Sequence, residues 1–164
     1  MKTLHIFRHG KSSWKDPLLG DKERPLKKRG LKDAVLIAHA SQSAGWDGKA
    51  VFSSTAVRAS KTIVEIFEAL GLDNTGITYC DELYTFDYRQ LLDWLTQRRE
   101  EELTIVGHNP ALHDLIEWYT GKDVEKVPTS AYCRLEIDID NWVSFSREKG
   151  QIKTLLTPKK LKNS

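Results

Sequence analysis

The chain has 164 residues, 40% hydrophobic and 29% charged, the size of one domain able to bury roughly 70% of the surface that its unfolded chain exposes. Its 25 Lys and Arg against 23 Asp and Glu leave a formal charge of +2, too small a surplus to bring in nucleic acid or an anionic membrane without local clustering, and the runs Lys27-Lys28-Arg29 and Lys159-Lys160-Leu161-Lys162 read as solvated faces. No stretch approaches the roughly 20 apolar residues of a membrane span, and the N-terminus lacks the pattern of a signal peptide, so the expectation is a single cytoplasmic domain over residues 1–164.

In chain order, Leu4 to Phe7 predicts a strand running into Arg8-His9-Gly10. That puts an Arg-His pair at a carboxyl strand end, where open α/β sheets hold their ligands. The polar stretch from Lys11 to Pro25, with Pro17 and Gly20, reads as a long surface loop of the kind that tends to be functional in compact domains. Leu31, Ala34, Val35 and Ala38 mark one face of a helix closing near Gly45. Ala50 to Phe52 is a second short strand. After it, Ser53-Ser54 is suited to capping a helix that carries Arg58 in its first turn, Ala56, Ala59, Ile63, Phe67 and Leu70 on one face, and a stop at Gly71.

Ile77 to Cys80 predicts a third strand, Leu91, Leu92 and Leu95 the next helix, and Leu103 to Val106 a fourth strand. That strand leads into Gly107-His108-Asn109-Pro110, with Pro110 just inside a helix marked by Leu112, Leu115, Ile116 and Tyr119 and ended by Gly121. Beyond Pro128 long helices are missing, and Tyr132 to Ile139, Trp142 to Arg147 and Gln151 to Leu155 predict strands that pair antiparallel. The whole pattern predicts an α/β fold in three layers, α/β/α, with a mainly parallel central sheet and antiparallel strands near the C-terminus.

Arg8, His9, Arg58 and His108 thus stand at carboxyl strand ends, which share one edge in a parallel sheet, so they converge on a pocket for a tetrahedral anion. If His9 attacks phosphorus, the arginines and His108 hold the equatorial oxygens through an in-line transfer, and water hydrolyses the resulting phosphohistidine in a second step. Ser13 and Lys15, on the loop just beyond, are further candidate substrate contacts. His5, in a strand, and His39 and His113, in helices, read as core or surface histidines. No HExxH motif or paired Cys/His spacing supports a metal, and no cofactor is expected.

Cys80 and Cys133 form no CxxC pair and read as reduced core residues; neither is followed by the arginine of a cysteine-nucleophile phosphatase loop. Gly10-Lys11-Ser12 lacks the earlier glycine of a phosphate-cradling loop, that position being His5. Asp138-Ile139-Asp140 reads as the polar face of a late strand and not as an aspartate nucleophile, since Trp142 stands where that motif needs Thr or Val.

Taken together, Arg8-His9-Gly10-Lys11-Ser12-Ser13-Trp14, Arg24-Pro25-Leu26 with Arg29-Gly30, Ser53-Ser54 with Arg58-Ala59 and Thr62, Glu82-Leu83-Tyr84, and Gly107-His108-Asn109-Pro110 resemble the histidine phosphatases. These are also called phosphoglycerate mutase-like proteins, and within them the resemblance is to the small SixA-type phosphohistidine phosphatases. The resemblance implies the phosphoglycerate mutase-like fold, His9 as the phosphorylated nucleophile, and Arg8, Arg58 and His108 completing the phosphate pocket. Glu82 falls near the position of an acidic proton donor in many members and is the candidate general acid.

This chain departs from the mutase-like pattern at Lys11 and Lys15, where those members commonly carry Glu and Asn, and it has little more than one helix between Tyr84 and His108, where larger members insert a lid. A short lid predicts an open site that admits a phosphorylated side chain of another protein. An alcohol leaving group, with a pKa of about 15, needs a proton from an acid, and an imidazole, at about 7, scarcely does. The expectation is a metal-independent phosphatase acting through His9 on protein phosphohistidine. A phosphatase for small phosphate esters or anhydrides is the alternative within the same chemistry, and a phosphate-sensing or partner-binding module without turnover is the alternative outside it. The expected partner is a phosphohistidine-bearing protein or a small phosphorylated substrate, neither nucleic acid nor membrane, met by a monomer.

Overall fold

The computed structural model describes residues 1–144 and 147–164. Its strands are β1 (Lys2–Arg8), β2 (Val51–Ser54), β3 (Ile77–Cys80), β4 (Glu102–Gly107), β5 (Tyr132–Ile137) and β6 (Gly150–Leu156), and its helices are α1 (Lys28–Ser43), α2 (Val57–Leu70), α3 (Tyr88–Leu95), α4 (Ala111–Thr120) and α5 (Pro158–Lys162). One sheet takes the order β3-β2-β4-β1-β5-β6. The first four of these strands pair parallel. Antiparallel pairing begins where β5 joins β1 and continues into β6.

Successive side chains of a strand point to opposite faces, and β1 sends Leu4 and Ile6 to one face and Phe7 to the other. On the first face α3 and α4 pack Leu91, Trp94, Leu95, Leu112 and Leu115. On the second, α1 and α2 pack Ala34, Ile37, Ala38, Ala59, Ile63 and Phe67. The result is the expected three-layer α/β/α arrangement of the phosphoglycerate mutase-like fold. Among the described residues no helix is long and apolar enough to cross a membrane.

Four expectations need correction. Val35 is 40% exposed, and the buried stripe of α1 runs instead through Gly30, Asp33, Ala34, Ile37, Ala38 and Ser41. A carboxylate sits in that stripe because Lys162 and Arg29 neutralise it, at 2.7 and 3.7 Å, so the C-terminal basic run is not simply a solvated face. It forms α5, capped by the Thr157 hydroxyl on the Lys160 N–H.

The segment from Trp142 is not a strand where it is described. Asn141 Oδ1 accepts from the N–H groups of Val143 and Ser144 and closes a turn, with Phe145 and Ser146 outside the described residues. Trp142 is nevertheless buried, its indole N–H donating to the Glu100 carbonyl at 2.7 Å, which is how a core aromatic in a turn imitates a strand residue. The strand expected from Tyr132 ends at Ile137 and pairs with β6.

Candidate active site

The sheet register places the site. Arg8 lies opposite Gly107 on β4, and Ser53 of β2 lies opposite Val106, so Arg8-His9, Ser54 and Gly107-His108 leave three adjacent parallel strands side by side. The turn after β1 is then pinned. The Gly10 N–H donates to the Thr62 hydroxyl at 2.9 Å, and that hydroxyl donates to the Arg58 carbonyl at 2.6 Å, tying His9 to the first turns of α2. A Cβ on Gly10 would stand 3.1 Å from Ser130 Oγ and 3.2 Å from the Gly30 backbone, and one on Gly30 would stand 2.6 Å from the Lys11 carbonyl. Gly30 thus requires glycine for close backbone approach, and Gly10 is tightly confined.

His9 Nδ1 lies 2.7 Å from the Gly10 carbonyl. A carbonyl only accepts, so Nδ1 carries the proton and Nε2 keeps its lone pair. Arg58 Nε donates toward that lone pair at 3.3 Å. Burial lowers the His9 pKa; the Gly10 carbonyl opposes this, and Arg58, Arg8 and Arg24 carry it further down, to about 4. The imidazole is therefore neutral near pH 7, the form a nucleophile needs.

His108 is held by the loop after β2. Ser54 Oγ accepts from the Ala56 N–H at 3.2 Å and lies 2.8 Å from His108 Nε2; in the tautomer where the hydroxyl donates to Nε2, the imidazole hydrogen sits on Nδ1. Ser54 thus serves this histidine, and Ser53 Oγ donates to the Ser54 carbonyl at 3.0 Å; α2 starts after Ala56 with no side-chain cap. Pro110 likewise precedes α4 as its cap position. Burial first, then His9 and Arg58, lower the His108 pKa to about 3.

The rings of His9 and His108 are 5.1 Å apart. Arg8 donates from a terminal nitrogen to the Val127 carbonyl at 3.0 Å, and burial, then Arg58, lower its pKa. His108 Nδ1 and Arg8 Nε are both buried without a hydrogen-bond partner. Native proteins seldom leave such donors unsatisfied. Two of them beside a cationic Arg58 and a nucleophilic nitrogen make a seat for an anion.

The loop expected to be functional supplies what the residues above lack. Arg58 donates to the Asp21 carbonyl at 2.6 Å and to Asp21 Oδ2 at 2.9 Å. The same Oδ2 accepts from the Tyr84 hydroxyl at 2.6 Å, and Oδ1 accepts from Arg24 at 3.3 and 3.2 Å. Burial alone would raise the Asp21 pKa; the Tyr84 hydroxyl, then Arg58 and Arg24, outweigh it and bring the group to about 2. Asp21 is thus an ionised clamp that sets the orientation of Arg58. Arg24 is itself held by Ser12 Oγ at 2.8 Å and lies beneath the Trp14 ring at 3.5 Å.

The structure brings Arg8, His9, Arg58 and His108 together, and among the described residues Ser13, Lys15 and Glu82 make their contacts elsewhere. Ser13 Oγ accepts from the Lys15 N–H at 3.0 Å in a local turn, and Lys15 is exposed on the loop. Glu82, exposed on a short 3-10 turn over residues 81–83, lines a depression with Gln90, Trp94 and Arg98; the carboxylate bonded to the pocket residues is Asp21. Sequence reasoning missed Asp21 and gave no role to Arg24 or Tyr84. Asp16, Asp21 and Glu23 all lie on the same loop, and no local signal separates them.

Comparison with known proteins bears on family and fold. Residues 4–91 match the histidine phosphatase superfamily (branch 1). The protein assigned as phosphohistidine phosphatase SixA in Agrobacterium tumefaciens is 26% identical, with 96% of this chain and 98% of that chain covered at a TM-score of 0.79. The protein histidine phosphatase SixA complexed with tungstate shares the fold at 22% identity and a TM-score of 0.79, over 97% and 99% of the two chains. A mycobacterial glucosyl-3-phosphoglycerate phosphatase shares it at 12% identity and a TM-score of 0.68, over 93% and 97%.

An uncharacterized chloroplastic protein of Arabidopsis thaliana is 40% identical over 62 residues, which span 38% of this chain and 28% of that protein. A family match over more than half of the chain that takes in Arg8, His9 and Arg58, on an architecture shared end to end with SixA, makes this chain a member of the histidine phosphatase superfamily, of the SixA type.

Proposed function

We propose that the protein removes the phosphoryl group from protein phosphohistidine through a covalent intermediate on His9, without a metal ion. The observation that carries this reading is the fixed tautomer of His9, Nδ1–H on the Gly10 carbonyl and the Nε2 lone pair turned to the Arg58 Nε–H at 3.3 Å, beside the unpartnered nitrogens of His108 and Arg8. In the first step the Nε2 lone pair bonds to phosphorus. The P–N bond of the substrate breaks, and its electron pair returns to the substrate imidazole, which leaves neutral when its other ring nitrogen carries a proton from solvent. Arg8, Arg58 and His108 hold the equatorial oxygens as charge spreads over them. Water then attacks phosphorus, the P–Nε2 bond returns its pair to His9, and the water proton passes to the departing phosphate.

Before an anion binds, Asp21 is held at about 2 and His108 at about 3, so neither brings a proton for an alkoxide to the encounter near neutral pH, whereas a substrate imidazole brings its own. Between Tyr84 and His108 the chain forms only α3 and β4 with short links, which favours a site open to a side chain of another protein. The name of the tungstate-bound relative, a protein histidine phosphatase, supports the same substrate, and the mycobacterial sugar-phosphate enzyme of the same fold defines the competitor to test.

Incubation with phenyl phosphate followed by a quench should leave an acid-labile, alkali-stable phosphoryl group on the wild type and none on His9→Ala. Comparison of kcat/KM should then favour a phosphohistidine-bearing protein over a phosphorylated sugar acid by about tenfold or more. Faster turnover of the sugar acid would overturn the substrate assignment, and a folded protein that neither turns over nor takes label would make the pocket a phosphate-binding module.

A further inference from the structure

Phe86 is 48% exposed, although its ring touches the pocket. It stands edge-on to His108 with centroids 5.7 Å apart at 61°, and edge-on to Tyr84 at 5.7 Å and 71°. Tyr84 in turn meets His108 at 5.3 Å and 76°. His108 is 1% exposed and His9 is 7% exposed, so among the described residues whose rings gather around His108, Phe86 is the one that is exposed.

The segment that carries it is held on both sides. Tyr84 is fixed through its hydroxyl to Asp21, the residue that orients Arg58. Thr85, 5% exposed, is bonded to Gln90 and accepts from the Asp87 N–H at 3.1 Å, and Asp87 caps α3 by accepting from the Arg89 N–H at 2.9 Å. An exposed phenyl ring forgoes the stabilisation that burial brings, and here it is presented by a segment pinned at each neighbour. A phosphorus seated between His9 and His108, whose rings are 5.1 Å apart, lies against the ring that Phe86 meets.

We propose that Phe86, backed by Tyr84, is a specificity-determining shelf on which a flat aromatic leaving group stacks, so that the site selects the imidazole of phosphohistidine, or a phenol, over an alkyl alcohol. The proposal rests on phosphoryl transfer to His9 and adds the means by which the leaving group is chosen. Offset or edge-to-face aromatic pairing supplies the preference, and an alkyl chain cannot replace it. Because the leaving group has gone before water attacks, the shelf acts in the first step and not in the second.

The test uses two pairs of probes on wild type, Phe86→Ala and Phe86→Trp. The first pair is phenyl phosphate and propyl phosphate, read as kcat/KM; the second is phenylphosphonate and methylphosphonate, which cannot turn over, read as Kd. Phe86→Ala should lower the phenyl-to-alkyl ratio in both pairs by roughly 5- to 10-fold, Phe86→Trp should restore it, and hydrolysis of pre-formed phosphohistidine on His9 should keep its rate. Equal losses on phenyl and alkyl probes, or slowed hydrolysis of the intermediate, would make Phe86 a support for His108 and overturn the shelf. The phosphonate ratio decides the proposal without turnover, so failure of the catalytic reading remains distinguishable. Turnover of phenyl phosphate without turnover of phosphohistidine would refute the substrate assignment, and the two ratios would still decide the shelf.

Discussion

Arg58 and His108 are 2% and 1% exposed, whereas Trp14 and Leu18, on the loop that carries Asp21 to Arg58, are 73% and 92% exposed. The floor of the pocket is fixed by strand register and by short bonds from neighbouring backbone and hydroxyl groups, at Gly10, Thr62 and Ser54. The rim hangs on one carboxylate, Asp21, which holds Arg58, Arg24 and Tyr84 at once. A floor held by the sheet preserves the chemistry, while a rim held by side chains is free to choose what enters. Variants in the two regions should therefore differ in kind as well as in size.

The largest effect belongs to the floor. Arg58→Ala removes the cation beside His9 Nε2 and should lower kcat by about 100- to 1,000-fold, with tungstate no longer raising the melting temperature as it should in the wild type. Leu18→Ser, on the rim, should leave tungstate stabilisation unchanged. If the two variants lost anion binding equally, the division between floor and rim would fail.

At the junction of the two, Asp21→Asn keeps the backbone contact to Arg58 at 2.6 Å and removes the charge that Arg58 and Arg24 share. A fall in kcat of about tenfold is expected, the size of one charge-assisted hydrogen bond. KM should move less than kcat, because the loop backbone still places Arg58 near the phosphoryl group. A fall as large as that of Arg58→Ala would show that the rim, and not the sheet, fixes the floor.

The same division separates what the sequence reveals from what it hides. Arg8, His9, Arg58 and His108 are legible because alternating strands and helices dictate a parallel sheet, and a parallel sheet dictates where carboxyl strand ends lie. Asp21 is illegible because its partners, Arg58 and Tyr84, reach it from α2 and from the turn before α3, and no periodicity records a loop folding onto distant elements. Trp142 misleads because burial and strand propensity look alike when a core aromatic sits in a turn. α5 escapes because Pro158-Lys159-Lys160-Leu161-Lys162 offers a single apolar residue after the proline and takes its position from the pairing of Lys162 with Asp33.

Acid should expose the floor before the rim. In the folded protein His9 and His108 hold their pKa values near 4 and 3, against a starting value of 6.5 for each. Below pH 6.5 the unfolded chain binds protons that the folded chain does not, so the stability these groups contribute is complete above that pH and is lost as pH falls toward 4. The slope is about 1.4 kcal/mol per pH unit for each imidazole. Melting temperatures between pH 7 and 5 should drop less steeply for His9→Asn than for the wild type, and Lys15→Ala should keep the wild-type slope. Parallel curves for His9→Asn and the wild type would place the acid sensitivity elsewhere.

The smallest effect is expected at Glu82, and its smallness is informative. A general acid must come within hydrogen-bond reach of the leaving oxygen, yet Glu82 is exposed and faces Gln90, Trp94 and Arg98, while Tyr84, next but one along the chain, turns its hydroxyl to Asp21. Glu82→Gln keeps the shape and removes only the acid, so kcat/KM should change by less than about twofold on both an alkyl and an aryl phosphate. Tyr84→Phe, which takes a donor from Asp21, should have the greater effect on both. A selective tenfold loss on the alkyl phosphate in Glu82→Gln would instead mean that the 81–83 turn moves to the leaving oxygen during turnover, and the rim would then contribute to the chemistry that the floor is argued to carry alone.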